Sequence, residues 1–353
     1  MISLNTKTQT IRHGGNLDEA IKLYNMPKEN WIDLSTGISP WAYPVKNVPE
    51  YVWHELPPSH NELLASAASY YKTSQSSIMV TPGSQIAIRL LPQLFTPTTV
   101  AVPALGYKEH DVSWQMADHK IIRYFDTTEL LELVRQKRVE HVVIINPNNP
   151  SGEKFDIHTL EKISSAINGI CVIDEAFIDY YENNNDFPSI SSATETLKLS
   201  NFENLIILRS IGKFFGLAGI RLGFVIGSHP RLTKLNTLLQ PWPISHASQF
   251  IGIQALSDDQ WQQQQRIHIK QQQYSFQNIL NDFLANNLED YSCIESGLFN
   301  TVRSSIASLK KLHEQLAIQG IWTRLDDNRD RPSWLRFGLP KDMAQFKQRL
   351  NKQ

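Results

Sequence analysis

One lysine stands between two apolar, strand-like runs in a stretch rich in glycine. Residues 205–227, LIILRSIGKFFGLAGIRLGFVIG, place Ser210, Lys213 and Arg221 between those runs. Burying a cation there is costly unless it has a partner, and burial lowers the pKa of a lysine and frees its amine as a nucleophile. The pattern therefore favours a Schiff-base lysine over an ordinary surface lysine.

The same stretch has the Ser-x-x-Lys spacing with which serine acyl-transfer enzymes begin their active site. Those enzymes also carry SDN-like and KTG-like elements, and neither string occurs in this sequence. The sequence also lacks GxGxxG and GxxxxGK[ST]. Acyl transfer, a dinucleotide-binding fold and a P-loop therefore have little support.

Polar residues follow three other predicted strands, at the edge where open α/β sheets bind ligands. In the run VTPGSQ a Pro-Gly turn precedes a helix start, which makes Gly83, Ser84 and Gln85 candidate phosphate ligands. The run VVIINPNNPSG places the amide of Asn149 at the same edge, and Asp174 in VIDEAF can pair with a cationic ligand nitrogen. The histidines are scattered, so no metal site is predicted.

Short β-branched runs alternate with longer amphipathic stretches, which predicts helices over a mostly parallel sheet. The seven predicted strands span residues 77–80, 99–102, 121–124, 141–145, 169–173, 205–208 and 222–226. Helices are predicted over 85–94 and 158–166, with Ser84 and Asp156 as cap or first-turn residues.

The chain has 353 residues, enough for two lobes. We predict an N-terminal arm over 1–55, a large domain over 56–245 and a smaller α+β domain over 246–353, in which the Gln-rich stretch 261–277 is helical.

The net charge of −1 argues against a nucleic-acid partner. Two distant cysteines, and the absence of a signal peptide or long apolar run, predict a cytoplasmic protein with no membrane partner.

Taken together, these motifs resemble the fold type I pyridoxal-phosphate enzymes, in the branch of the histidinol-phosphate aminotransferases and threonine-phosphate decarboxylases. The resemblance covers nearly the whole chain. It implies that Lys213 binds pyridoxal 5′-phosphate covalently, that Asp174 pairs with the ring nitrogen and that Asn149 bonds the ring oxygen. It also implies a set of cofactor-phosphate ligands, namely Gly83, Ser84, Gln85, Ser210 and Arg221.

The resemblance further implies an aromatic ring stacked on the cofactor. In PALGYKEH, His110 falls at the family's stacking position, with Tyr107 as the alternative because the spacing after Pro103 differs.

Within the branch, the openings HGGN and DLSTGISPW resemble the threonine-phosphate decarboxylases of cobalamin biosynthesis. So does Phe177 in DEAF, where aminotransferases commonly have a tyrosine. The implied substrate is a small phosphorylated amino acid, and the alternative is a histidinol-phosphate-type aminotransferase using 2-oxoglutarate. The implied substrate residues are His13, Gly14, Gly37, Asn149, Arg324 and Arg336, where the two arginines suit a carboxylate and a phosphate.

The resemblance also implies a homodimer with active sites at the subunit interface. Where the branch has a Tyr-Pro pair that reaches the neighbouring subunit, this chain reads Glu55-Leu56-Pro57, and Tyr43 is a possible replacement. A non-catalytic ligand sensor of a transcription regulator is disfavoured, because residues 1–55 are too short and irregular for a DNA-binding module.

Overall fold

A computed structural model describes residues 14–182, 192–197, 202–326 and 333–351. In these residues the strands, numbered along the chain, are β1 (Ile32–Asp33), β2 (Ile78–Thr81), β3 (Thr99–Pro103), β4 (Lys120–Tyr124), β5 (His141–Ile145), β6 (Cys171–Asp174), β7 (Leu205–Ser210), β8 (Gly223–Ile226), β9 (Ser292–Glu295), β10 (Phe299–Arg303), β11 (Ile321–Trp322), β12 (Arg324–Asp326) and β13 (Trp334–Gly338).

The α-helices in the same residues alternate with the strands and then dominate the C-terminal third. They are α1 (Leu17–Tyr24), α2 (Asn61–Tyr70), α3 (Ser84–Leu90), α4 (Lys108–Met116), α5 (Thr127–Arg135), α6 (Ile157–Ala166), α7 (Ala193–Thr196), α8 (Leu232–Leu239), α9 (His246–Leu256), α10 (Asp259–Asn287), α11 (Ile306–Ile318) and α12 (Met343–Leu350).

The large sheet has seven strands in the order β2-β8-β7-β6-β5-β3-β4. Every neighbouring pair is parallel except the two that involve β8. Every residue of β5 and β6 is buried, as expected for apolar strands covered by helices on both faces. The predicted α/β fold with a mostly parallel seven-stranded sheet is thus confirmed, and the predicted strand ends lie within two residues of those observed.

The predicted helices are present as well. The stretch predicted over 85–94 is α3 followed by a 3₁₀ turn over Leu91–Leu94, because Pro92 lacks the N–H that would continue the α-helix. Asp156 caps α6 by accepting a hydrogen bond from the Thr159 backbone N–H at 2.8 Å. Ser84 is the first residue of α3, and the Gln-rich stretch lies inside α10.

A second, antiparallel sheet in the order β12-β13-β10-β9 is formed by C-terminal residues. The N-terminal arm joins this region, because β1 pairs in parallel with β11. The domain limits themselves stay a prediction.

Candidate active site

The predicted site residues converge on the carboxyl ends of β5, β6 and β7. A cavity of about 710 Å³ opens there, and its wall includes Gly83, Ser84, Gln85, Asn149, Asp174, Ser210, Lys213 and Arg221. The parallel strands end at one edge of the sheet, so residues from four separate sequence motifs become neighbours. The geometry thus brings together eight of the nine predicted cofactor residues.

Lys213 follows β7 in a turn that the arm covers, and its carbonyl accepts a hydrogen bond from the Ser39 N–H at 2.9 Å. Its ammonium nitrogen lies 5.4 Å from the centre of the Phe177 ring. Burial, together with the charge of Arg336, lowers the pKa of Lys213 to about 8. A substantial fraction of the amine is therefore neutral, and able to attack a carbonyl, near physiological pH.

His110 is the predicted cofactor residue that does not line the cavity. It is 2% exposed, and its Nε2 lies 2.9 Å from Oδ2 of Asp174. The ring contacts the Asp174 carboxylate without forming part of the cavity wall. Tyr107, one helical turn earlier, lines the cavity and bonds Gln85 through its hydroxyl at 2.7 Å. The geometry therefore favours Tyr107 over His110 as the stacking ring.

The phosphate end of the cavity is built by close backbone approach. Gly83 has φ +74°, and a Cβ there would lie 2.6 Å from a guanidinium nitrogen of Arg221. A Cβ on Gly223 would lie 2.6 Å from the Ser84 backbone nitrogen. The positive φ favours glycine at Gly83, and at Gly223 a Cβ would push β8 away from the backbone at the start of α3.

The three asparagines after β5 have different roles. Asn146 holds the loop by accepting from the Phe155 N–H at 3.0 Å, and Asn148 donates to the Leu105 carbonyl at 2.6 Å. Asn149 faces the cavity, where its Oδ1 accepts a hydrogen bond from Arg336 Nη1 at 2.6 Å. This distribution agrees with the choice of Asn149 from the sequence.

A smaller cavity of about 230 Å³ adjoins the first, and Tyr107, Asn149 and Lys213 line both. Its wall also includes the predicted substrate residues Gly14, Gly37, Arg324 and Arg336. His13 lies outside the described residues.

Arg324 and Arg336 are directly opposite each other on the antiparallel strands β12 and β13. Like charges in that arrangement repel. Burial, and then the charge of Arg324, lowers the pKa of Arg336 to about 9. Its Nε has no hydrogen-bond partner within the described residues. An anion in the smaller cavity would offset the repulsion between the two guanidinium groups and would give Nε of Arg336 a hydrogen-bond acceptor.

Comparison with known proteins places this site in a family. The sequence profile of the family "Aminotransferase class I and II" matches residues 52–350. The chain belongs to the aminotransferase class I and II family. It is therefore a pyridoxal-phosphate-dependent enzyme, as the motifs indicate.

Two sequence relatives cover almost the whole chain. A threonine-phosphate decarboxylase from Pseudomonas aeruginosa is 34% identical over 95% of this chain and 94% of its own length. One from Sinorhizobium is also 34% identical over 95% of both chains. A histidinol-phosphate aminotransferase from Francisella philomiragia is 31% identical over 60% of each chain.

Solved structures share the fold. A histidinol-phosphate aminotransferase from Sinorhizobium meliloti, in complex with pyridoxal-5′-phosphate, superposes with a TM-score of 0.81 at 17% identity, covering 99% of this chain and 96% of its own. The L-threonine-O-3-phosphate decarboxylase from Porphyromonas gingivalis gives 0.70 at 17% identity, over 90% of this chain and 97% of its own.

The residues of the larger cavity fit the family's cofactor. A lysine of lowered pKa suits an aldehyde, and the buried Asp174 carboxylate suits a ring nitrogen. The Gly83–Arg221 contact leaves a cradle that a Cβ would fill, as a phosphate site requires. No cluster of metal-ligating side chains occurs in the described part of the chain, nor any helix that could span a membrane.

Phe177 after β6 and Tyr43 in the arm, both singled out from the sequence, lie in different surroundings. Phe177 packs edge-on against Phe299 with the ring centres 5.2 Å apart and offers no hydroxyl to the cavity. Tyr43 is buried, and its hydroxyl lies 3.3 Å from both the Gln254 carbonyl and Asp258 Oδ2. The contacts of this hydroxyl within its own chain give no support to Tyr43 as a replacement for the Tyr-Pro contact, and that role stays a prediction.

A buried ionic cluster behind the site was not predicted. Arg209 is fully buried, with its guanidinium nitrogens 2.8–2.9 Å from carboxylate oxygens of Glu175, Asp179 and Glu182. Although burial opposes the charged form, Asp179 and Glu182 raise the pKa of Arg209. Arg209 precedes Ser210, and Glu175 follows Asp174, so the cluster anchors the strand ends that carry two cofactor residues. The signal available in the sequence was a charged residue directly after the four apolar strand residues 205–208.

Proposed function

We propose that this enzyme decarboxylates L-threonine O-3-phosphate to (R)-1-aminopropan-2-yl phosphate and CO2 in cobalamin biosynthesis. The observation that carries the proposal is the 34% identity to threonine-phosphate decarboxylases along 95% of the chain. Histidinol-phosphate aminotransferases match less well, with 31% identity over 60% of the chain for the Francisella protein and 28% over 84% for one from Buchnera aphidicola. The alternative is an aminotransferase of that type, and the experiment below distinguishes it from the decarboxylase.

The smaller cavity supports a substrate with two anionic groups. Arg336 is hydrogen-bonded to Asn149 and its charge lowers the pKa of Lys213, so it suits the carboxylate on the carbon that reacts. Arg324 lies opposite it on the neighbouring strand and suits the phosphate.

Several side chains would hold the cofactor. Lys213 would carry it covalently, Asp174 would pair with its ring nitrogen and Asn149 would bond its ring oxygen. Gly83, Ser84, Gln85, Ser210 and Arg221 would surround its phosphate, and Tyr107 would cover its ring. When bound, pyridoxal phosphate supplies an electron sink for the pair left at Cα when a bond there breaks.

Lys213 is the residue placed to return a proton. Decarboxylation replaces the carboxylate at Cα by a hydrogen, and the amine of Lys213 lies where the two cavities meet. With a pKa of about 8, the ammonium form can donate that proton near neutral pH and be restored from solvent.

We also propose that the enzyme is a homodimer. Trp53, Leu56 and Trp242 are 63%, 66% and 53% exposed, which is unusual for large apolar side chains. Trp53 also lines a surface cavity of about 470 Å³ together with Pro82 and Arg221, so the apolar surface reaches the cofactor-phosphate residues. A second copy of the chain covering this face would close the site. Sedimentation of the purified protein tests it, since a monomer at micromolar concentration would contradict the proposal.

The reaction is tested by mass spectrometry of products from protein loaded with pyridoxal phosphate and given L-threonine O-3-phosphate without a keto acid. We expect 1-aminopropan-2-yl phosphate, and none from Lys213→Ala, which should also lose the yellow colour that borohydride bleaches. Absence of that product, with turnover of histidinol phosphate once 2-oxoglutarate is added, would replace the proposal by the aminotransferase.

A further inference from the structure

Besides Lys213 and the two arginines, the smaller cavity contains a further cation, Lys108, that the family comparison does not assign. Lys108 lines this cavity with Arg324 and Arg336, and its Nζ lies 2.8 Å from Oδ2 of Asp326. Asp326 is itself part of the cavity wall. The ion pair therefore lies inside the substrate cavity and not on the outer surface of the protein.

The two partners come from distant segments of the chain, a helix and a strand. Lys108 begins α4, directly after Tyr107, whereas Asp326 ends β12, two residues after Arg324. Side chains two residues apart on a strand lie on the same face, so Arg324 and Asp326 are neighbours along one wall. The charge of Asp326 also raises the pKa of Arg324, which burial otherwise lowers.

The charges of the cavity leave a role for Lys108. A phosphorylated amino acid carries one carboxylate and a phosphate of about −1.5 to −2 charges near pH 7. Arg324 and Arg336 provide two positive charges, one of which faces the carboxylate. The phosphate is then matched in charge by Arg324 together with a second cation. Lys213, which also lines this cavity, is assigned to the cofactor, so within the described residues Lys108 is the cation of the cavity wall left for the phosphate.

We propose that Lys108 is a specificity-determining residue that binds the substrate phosphate, and that Asp326 pairs with Lys108 until the substrate enters. Before substrate enters, the ammonium group pairs with the Asp326 carboxylate. A phosphate in the cavity competes with that single negative charge and takes over the ammonium group as a charge-assisted partner. Asp326 thus lowers the affinity for phosphate and keeps the half-buried ammonium group paired in the free enzyme. This inference rests on the proposed function.

The alternative role is a simple clamp between α4 and β12. The two roles differ in sign. If the ion pair is a clamp, removing either partner has the same effect. If Lys108 binds phosphate and Asp326 competes for Lys108, removing Lys108 lowers the affinity for phosphate and removing Asp326 raises it.

The test compares Lys108→Met, Asp326→Asn and the double variant as holoenzymes, by KM and kcat for L-threonine O-3-phosphate. We expect Lys108→Met to raise KM about tenfold or more, because it removes a charged hydrogen-bond donor. Asp326→Asn should lower KM a fewfold. The double variant should match Lys108→Met, because Asp326 acts through Lys108. The control Lys120→Met, at an exposed position on β4, should leave KM unchanged.

Three results would overturn the inference. They are an unchanged KM in Lys108→Met, a rise of KM in both single variants, or an effect of Asp326→Asn that persists without Lys108. Each leaves the proposed function standing, provided that the wild-type enzyme forms the expected product.

If the wild-type enzyme does not form that product, calorimetric titration of the holoenzymes with inorganic phosphate replaces the kinetic comparison. Weaker binding by Lys108→Met and tighter binding by Asp326→Asn would support Lys108 as a phosphate ligand. Equal binding by all variants, or no binding by the wild type, would overturn it.

Discussion

His110 Nε2 lies 2.9 Å from Asp174 Oδ2, and both side chains are almost completely buried, with Asp174 in the wall of the cofactor cavity. The other carboxylate oxygen of Asp174 accepts a hydrogen bond from the Ala176 N–H at 3.1 Å. Both oxygens of Asp174 are thus held from the protein side. The carboxylate that would pair with the cofactor ring nitrogen is therefore fixed in orientation before cofactor binds.

Replacing His110 should lower kcat while Lys213 stays available to bind the cofactor. We expect His110→Phe to lower kcat about tenfold, because a hydrogen bond to a charged group is worth about 1.5–3 kcal/mol when lost. His110→Gln keeps an N–H donor and should recover part of the loss. The absorbance spectrum of the bound cofactor, recorded against pH, should change in His110→Phe and much less in His110→Gln. If the spectra of both variants match that of the wild-type enzyme, His110 has a packing role alone.

The sequence does not distinguish Tyr107 from His110 as the ring that faces the cavity. The spacing after Pro103 admits either residue, and only the start of α4 at Lys108 decides which ring faces the cavity. By contrast, Lys213, Asp174 and Asn149 each follow an apolar run whose buried strand is dictated by composition. Their convergence at one sheet edge follows from the parallel topology, which the alternation of strands and helices predicts.

Contacts between distant segments could not be read in this way. The register that places Arg324 opposite Arg336, and the contact of Lys108 with Asp326, depend on how β12 and α4 are packed in three dimensions. The partly polar strands of the small sheet give weaker sequence signals than the fully apolar β5. Burial of Arg209 is likewise a property of the packed fold, since its carboxylate partners lie 27–34 residues away in sequence.

The lowered pKa of Lys213 predicts how fast apoenzyme takes up its cofactor at different pH values. The neutral amine is the attacking form, so the rate should rise with pH and level off above about 8. An ordinary lysine, with a pKa near 10.4, would give a rate that still rises at pH 9.5. Stopped-flow absorbance between about pH 6.5 and 9.5 measures this. Arg336→Met should move the midpoint upward, because the charge of Arg336 lowers the pKa of Lys213.

Removing the buried guanidinium of Arg209 should destabilise the whole large domain. Arg209→Met leaves Glu175, Asp179 and Glu182 without the cation that each now contacts. Breaking a buried pair by removing one partner costs about 3–5 kcal/mol. Urea unfolding should show that loss, whereas the exposed Arg138→Met should change stability by no more than about 0.5 kcal/mol. Equal stability of the two variants would mean that the carboxyl groups accommodate the loss by taking up protons.

Acid should weaken the fold partly through His141. Burial, together with the charge of His119, lowers the pKa of His141 in the folded protein to about 4, below the ordinary value near 6.5. The unfolded chain therefore binds a proton at a pH where the folded protein does not. The stability contributed by neutral His141 is complete above about pH 6.5 and is lost as the pH falls towards 4, by up to about 1.4 kcal/mol for each pH unit.

A variant isolates this contribution from that of other titrating groups. His141 Nδ1 accepts a hydrogen bond from the Ile170 N–H at 3.0 Å, and His141→Asn can keep an acceptor there without a titrating ring. Urea unfolding of both proteins at several pH values between 7.5 and 4.5, with saturating cofactor, gives the two slopes. We expect the slope of the variant to be smaller by up to one proton below about pH 6.5. Parallel curves would show that His141 is protonated equally in the folded and unfolded states, because a group contributes to the pH dependence of stability only when its proton affinity changes on folding.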